Sequence, residues 1–170
     1  MRIALTGASG FIGSVIARHL HESGHQVTAL LRTSSKRDHV MPYLDRVIDG
    51  AIDDRAAFEP LLDGADALVH SAVDWKAIRD GNLSDHLDCN LTASIELLGM
   101  AAAKSQRVVF MSSVAVHHHM SDRWNGLVDD EHPLRPGTMY GALKASLEAH
   151  LWALHETHAL KFVSLRPAAV

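Results

Sequence analysis

The chain has 170 residues, 47% hydrophobic and 21% charged, which suits one sizeable core and excludes two full domains. Its formal charge is −4, and its 16 Lys and Arg are scattered rather than massed, so a nucleic-acid footprint is excluded. No apolar run is long enough to cross a bilayer.

In chain order, short β-branched or aliphatic runs fall at residues 3–6, 27–31, 47–48, 67–70, 108–112 and 162–165, separated by segments that suit helices. Such an alternation, joined by right-handed crossovers, predicts an α/β fold: a doubly wound parallel sheet in the order 3-2-1-4-5-6, helices on both faces. The weakest helix is "DDRAAFEPLL", residues 53–62, because Pro60 would remove a donor from its interior. Cys89, the single cysteine, has no internal disulfide partner, and Met1 leads straight into the first apolar run without a signal-peptide h-region. A reducing, cytoplasmic setting is expected.

The first strand runs into "TGASGFIG", residues 6–13. Gly7 tolerates the backbone angles of a sharp strand-to-helix turn, Gly10 lets the main chain approach a pyrophosphate, and Gly13 seats the helix against the sheet. The helix start then aims N–H groups and partial positive charge at phosphates, so this turn predicts dinucleotide binding. Further along, Tyr140 and Lys144 are four apart and share one helix face, with Leu147, Leu151 and Leu154 continuing near that side. By spacing alone the pair suits either an amphipathic surface or a proton relay. In a relay, a nearby ammonium favours the phenolate and brings the phenol toward the working range.

Together these motifs resemble the extended short-chain dehydrogenase/reductases, the NAD-dependent epimerase/dehydratase family. "TGASGFIG" is similar to the family's glycine signature and "HSA" at 70–72 to its strand-four motif. Asn90 resembles its helix asparagine, "MSSVAV" its serine strand, "YGALK" at 140–144 its Tyr-x-x-x-Lys, and "RPAAV" its sixth-strand ending. The resemblance spans the chain and implies a Rossmann-like NAD(P)-binding domain over residues 1–170. It implies catalytic roles for Ser113, Tyr140, Lys144 and Asn90, with Ser112 as the neighbouring alternative to Ser113. Ser113 would hydrogen-bond the substrate oxygen, Lys144 would also hold the nicotinamide ribose, and Asn90 would order the active-site helix and a relay water. Taken singly, Asn90 reads as a polar residue at a helix start. The expected cofactor site comprises Gly7, Gly10, Phe11, Ile12, Gly13, Arg32, Ser71 and Ala72, together with Tyr140 and Lys144.

Cofactor choice turns on "VTALLRTSSKR", residues 27–37. A carboxylate about 20 residues after the glycines usually holds the adenosine ribose, whereas arginine accommodates a 2′-phosphate. Leu31 stands where the family's acid would lie and Arg32 follows, with no acid anywhere in the stretch. NADP is expected, with NAD as the alternative.

Departures from the family pattern also carry information. "DGAIDD" places Ala51 where the family has an adenine-reading Asp, leaving Asp53, Asp54 or main chain to compensate. The serine strand lacks the Asp-Glu pair of sugar-nucleotide dehydratases, and "VHHH" replaces the Val-Tyr-Gly of many epimerases. His117, His118 and His119 make a poor metal set, since neighbours on a strand point to opposite faces, and no metal is expected.

The expected function is hydride transfer between NADP and a secondary alcohol or carbonyl of a small molecule. The alternatives are an NAD-dependent sugar-nucleotide epimerase and a noncatalytic NADP-binding regulator. The resemblance further implies a continuation beyond Val170 into a smaller substrate-binding region. It also implies a homodimer, paired through the segments 83–104 and 140–158, which carry more apolar positions than one sheet-facing stripe needs.

Overall fold

A computed structural model of the chain describes residues 1–104, 106–117, 128–129 and 132–168. Six strands form one sheet: β1 (Arg2–Thr6), β2 (Gln26–Leu31), β3 (Arg46–Asp49), β4 (Ala67–His70), β5 (Arg107–Met111) and β6 (Phe162–Leu165). Their order is β3-β2-β1-β4-β5-β6 and every pairing is parallel, as the strand–helix alternation predicts. Parallel strands need crossovers, and the helices that supply them bury both faces of the central strands, which accounts for their apolar runs.

Side chains alternate across the sheet, so the core divides in two. Ala4, Leu30, Leu68, Val108 and Phe110 face the helices α2 (Phe58–Leu62), α5 (Ala93–Ala103) and α6 (Met139–His158). Leu5, Val27, Ala29, Leu31 and Val69 face α1 (Phe11–Glu22) through Ala17. Each fully buried Leu or Phe contributes about 1.5–3 kcal/mol. On the α1 side the sheet is less covered toward β6, where Val163 and Leu165 remain 47% and 45% exposed.

Two helices differ from expectation. Residues 53–62 do not form one helix: a 3-10 turn at Arg55–Ala57 precedes α2. Pro60 therefore lies in the first turn of α2, where an N–H would have no intrahelical acceptor, and it breaks nothing. The segment 83–104 is likewise divided. After α3 (Trp75–Arg79), α4 (Leu83–His86) runs into a π-helical stretch at Leu87–Thr92, which buries Cys89 and Asn90, before α5 begins. Among the described residues no helix is long and apolar enough to cross a membrane.

Candidate active site

A cavity of about 950 Å³ opens at the carboxyl ends of the strands, where doubly wound sheets bind ligands. Every residue expected at the cofactor lines it, as does Ser113; Asn90 does not. Ala51 reaches the cavity, and Asp53 and Asp54 are not among its lining residues.

The glycine turn forms one wall. Gly7 has φ +78°, and a Cβ there would lie 2.8 Å from the Ala72 nitrogen; a Cβ on Gly13 would lie 2.0 Å from the Gly7 carbonyl oxygen. Only glycine fits this crowding, and Gly10 stands at the N-cap of α1 with no side-chain cap. An uncapped helix start over a glycine cradle suits the pyrophosphate of a dinucleotide. Behind the turn, Thr6 Oγ1 accepts from the backbone N–H groups of Ser71 and Ala72, both at 3.2 Å, and lies 2.8 Å from His70 Nδ1. The other His70 nitrogen is 3.0 Å from Ser94 Oγ. Burial, reinforced by the positive charge of Lys144, pushes the His70 pKa down to about 3, so this pin between β1 and β4 is an uncharged imidazole.

A second wall of the cavity is built from the end of β5 and from α6. Thr138 caps α6 by accepting from the Gly141 N–H at 3.0 Å, which starts the helix just ahead of Tyr140. The two serines after β5 divide. Ser112 donates its hydroxyl to the buried Glu148 carboxylate, which also receives Arg166 Nε at 3.1 Å and Nη2 at 2.6 Å. Ser113 accepts from the Ala115 N–H at 3.1 Å and lines the cavity together with Tyr140.

Lys144 is buried, donates Nζ to the Met111 carbonyl at 2.6 Å and stands 5.7 Å from the centre of the Tyr140 ring. Burial lowers its pKa to about 8 against the opposing pull of Glu148. The expected depression of the Tyr140 phenol is not found. Burial holds it above the ordinary value, Ser113 opposes that rise, and the ammonium is turned toward the strand.

Asn90 takes a place that spacing does not show. Its Oδ1 accepts from the Asp74 N–H at 2.6 Å, and its Nδ2 donates to the Asp74 carbonyl at 3.0 Å and to His86 Nδ1 at 3.1 Å. It clamps the loop between β4 and α3. That loop leads into Trp75, the first residue of α3, whose ring centre is 4.6 Å from that of Tyr140 with 49% of the residue exposed. His117 donates Nδ1–H to the Pro133 carbonyl at 3.2 Å and accepts from Arg166 at Nε2, 3.3 Å away; His118 and His119 lie outside the described residues.

The sequence pattern of the NAD dependent epimerase/dehydratase family matches residues 3–170. The chain belongs to this family. Within it, a dTDP-glucose 4,6-dehydratase from Streptomyces niveus is 32% identical over 180 residues, covering 98% of this chain and 53% of its own. A 2-alkyl-3-oxoalkanoate reductase from Stenotrophomonas maltophilia is 30% identical, covering 100% of this chain and 51% of its own. A UDP-glucose 4-epimerase from Thermus thermophilus, solved in complex with NAD, superposes with a TM-score of 0.84 at 27% identity, across 98% of this chain and 54% of that one. The chain thus spans about half the length of the relatives it matches.

Proposed function

We propose that the full-length protein is an NADP-preferring oxidoreductase acting on a secondary alcohol or carbonyl of a small molecule through Ser113, Tyr140 and Lys144. The observation that carries this reading is that these three side chains meet at the cavity opened by the glycine turn. A nicotinamide bound there would supply or take up the hydride at the reacting carbon. The chain's own residues then have separate tasks. Tyr140 gives its proton to the substrate oxygen in reduction and receives it in oxidation, and Ser113 hydrogen-bonds that oxygen as its charge changes. Lys144 would supply positive charge to the nucleotide and to the nearby phenol. The glycine turn, Phe11, Ile12, Ser71 and Ala72, which line the cavity, would hold the dinucleotide, and Arg32 would meet the 2′-phosphate. Asn90 acts at a distance, by clamping the loop that leads into Trp75.

The test uses the full-length enzyme. Tyr140→Phe keeps the ring's packing and is expected to lower turnover about 100-fold or more while NADP binding persists. Near-parental activity in that variant would overturn the mechanism. The epimerase named among the structural neighbours supports a second reading, in which tightly held NAD is used without net turnover. Stoichiometric conversion of NADPH to NADP during carbonyl reduction separates the two. A cytoplasmic homodimer belongs to the same proposal, and light scattering of the full-length protein checks the dimer.

A further inference from the structure

The cavity's charges are unequally shared. Arg32 and Lys36 line it beyond β2 and Lys144 lines it beneath Tyr140; Asp74 is the one carboxylate among its described lining residues. Asp74 Oδ2 accepts from Arg32 Nη1 at 3.2 Å. The carboxylate has little freedom to turn away. Its Oδ1 accepts the N–H groups of Lys76 at 2.8 Å and Ala77 at 3.3 Å, and its own backbone N–H and carbonyl are both held by Asn90.

We propose that Asp74 is a specificity-determining residue for the cofactor: a fixed counter-charge on Arg32 that weakens NADP relative to NAD. The inference rests on Arg32 being the residue that meets the 2′-phosphate. A phosphate entering there must either displace Asp74 from the guanidinium or lie beside its negative charge, and both cost affinity. A 2′-hydroxyl carries no such charge, so NAD is nearly indifferent to Asp74. The pair is partly exposed, which keeps the effect moderate and salt-dependent.

The test is calorimetric titration of the full-length protein with NADP and NAD, comparing the parent with Asp74→Asn and Asp74→Ser. Both replacements retain N-cap chemistry for α3 while removing the charge. NADP affinity is expected to rise about fivefold and NAD affinity to change less than about twofold, with the gain shrinking in high salt. Unchanged NADP affinity in both variants, or equal weakening of both cofactors, overturns the proposal and leaves Asp74 as a helix cap. Arg32→Ala without effect on NADP overturns it together with the assignment of Arg32. A parent that favours NAD, whose Asp74→Asn form still moves toward NADP, overturns the NADP preference and leaves the role of Asp74 standing.

Discussion

The indole of Trp75 lies against the phenol ring of Tyr140, with ring centres 4.6 Å apart and planes tilted by 32°. The contact joins the start of α3, just beyond the clamped loop, to the first turn of α6. It covers part of the proposed acid–base group and leaves the rest of the indole exposed where Trp75 lines the cavity. Trp75→Ala is therefore expected to raise KM for the carbonyl substrate about tenfold, the scale of one lost aromatic contact, with NADP affinity changed less than about threefold. Steady-state kinetics paired with cofactor titration checks this, and equal losses in both would assign Trp75 to general folding.

Glu148 supports the prediction with the largest stability effect. Its buried carboxylate joins Ser112 to Arg166, two points far apart in sequence, one turn of α6 beyond Lys144. Glu148→Gln removes the buried negative charge that Ser112 and Arg166 share, and a loss of about 3 kcal/mol is expected. Ser112→Ala removes one donor and should cost about 1–2 kcal/mol. Combined with Glu148→Gln, its cost should be less than additive, because both changes break one network. Urea midpoints of the three variants measure this.

The glycine turn, the strand order and the Tyr140–Lys144 spacing were legible because each is written in local sequence: φ freedom, apolar periodicity and helical pitch. Pro60 misled because a proline's meaning depends on where its helix begins, and α2 starts only at Phe58. Arg166 stood inside "RPAAV" without its role being visible, and Asp74, Trp75 and Glu148 belonged to none of the motifs. Asp74 matters through Arg32, 42 positions away, and Glu148 through Ser112, 36 positions away; such pairings exist only once the sheet is assembled. The phenol's direction of shift is not legible either: spacing puts Lys144 near Tyr140, whereas burial of the ring, which only the assembled fold creates, raises the phenol, and the Lys144 ammonium donates to the Met111 carbonyl.

His70 links the cofactor wall to acid stability. Its folded-state pKa of about 3 lies below the usual 6.5, so on acidification the unfolded chain binds a proton that the folded chain refuses. The contribution is complete above about pH 6.5 and is lost as pH falls toward 3, at up to about 1.4 kcal/mol per pH unit. His70→Gln offers Thr6 and Ser94 an uncharged donor and acceptor, so its stability should fall less steeply over this window. Urea unfolding of both proteins at several pH values compares the slopes, and parallel slopes would show that His70 does not titrate on unfolding.

Lys144 provides a test in which activity and stability move in opposite directions. In the proposed carbonyl reduction Tyr140 must hold its proton and Lys144 its charge. Burial keeps the Tyr140 phenol protonated through the neutral range, whereas Lys144 gives up its proton near pH 8. kcat/KM for reduction in the full-length enzyme is expected to fall as pH rises through about 8. Unfolding is not the cause. Between about 8 and the ordinary lysine value of 10.5 the unfolded chain still binds the proton that the folded chain has released, so the contribution of Lys144 to stability grows with pH. A Lys144→Arg enzyme carries a guanidinium that stays charged across this range, and its residual activity should lack the alkaline limb. Retention of the same limb in Lys144→Arg would move the titrating group elsewhere and remove Lys144 from the charge requirement of the reaction.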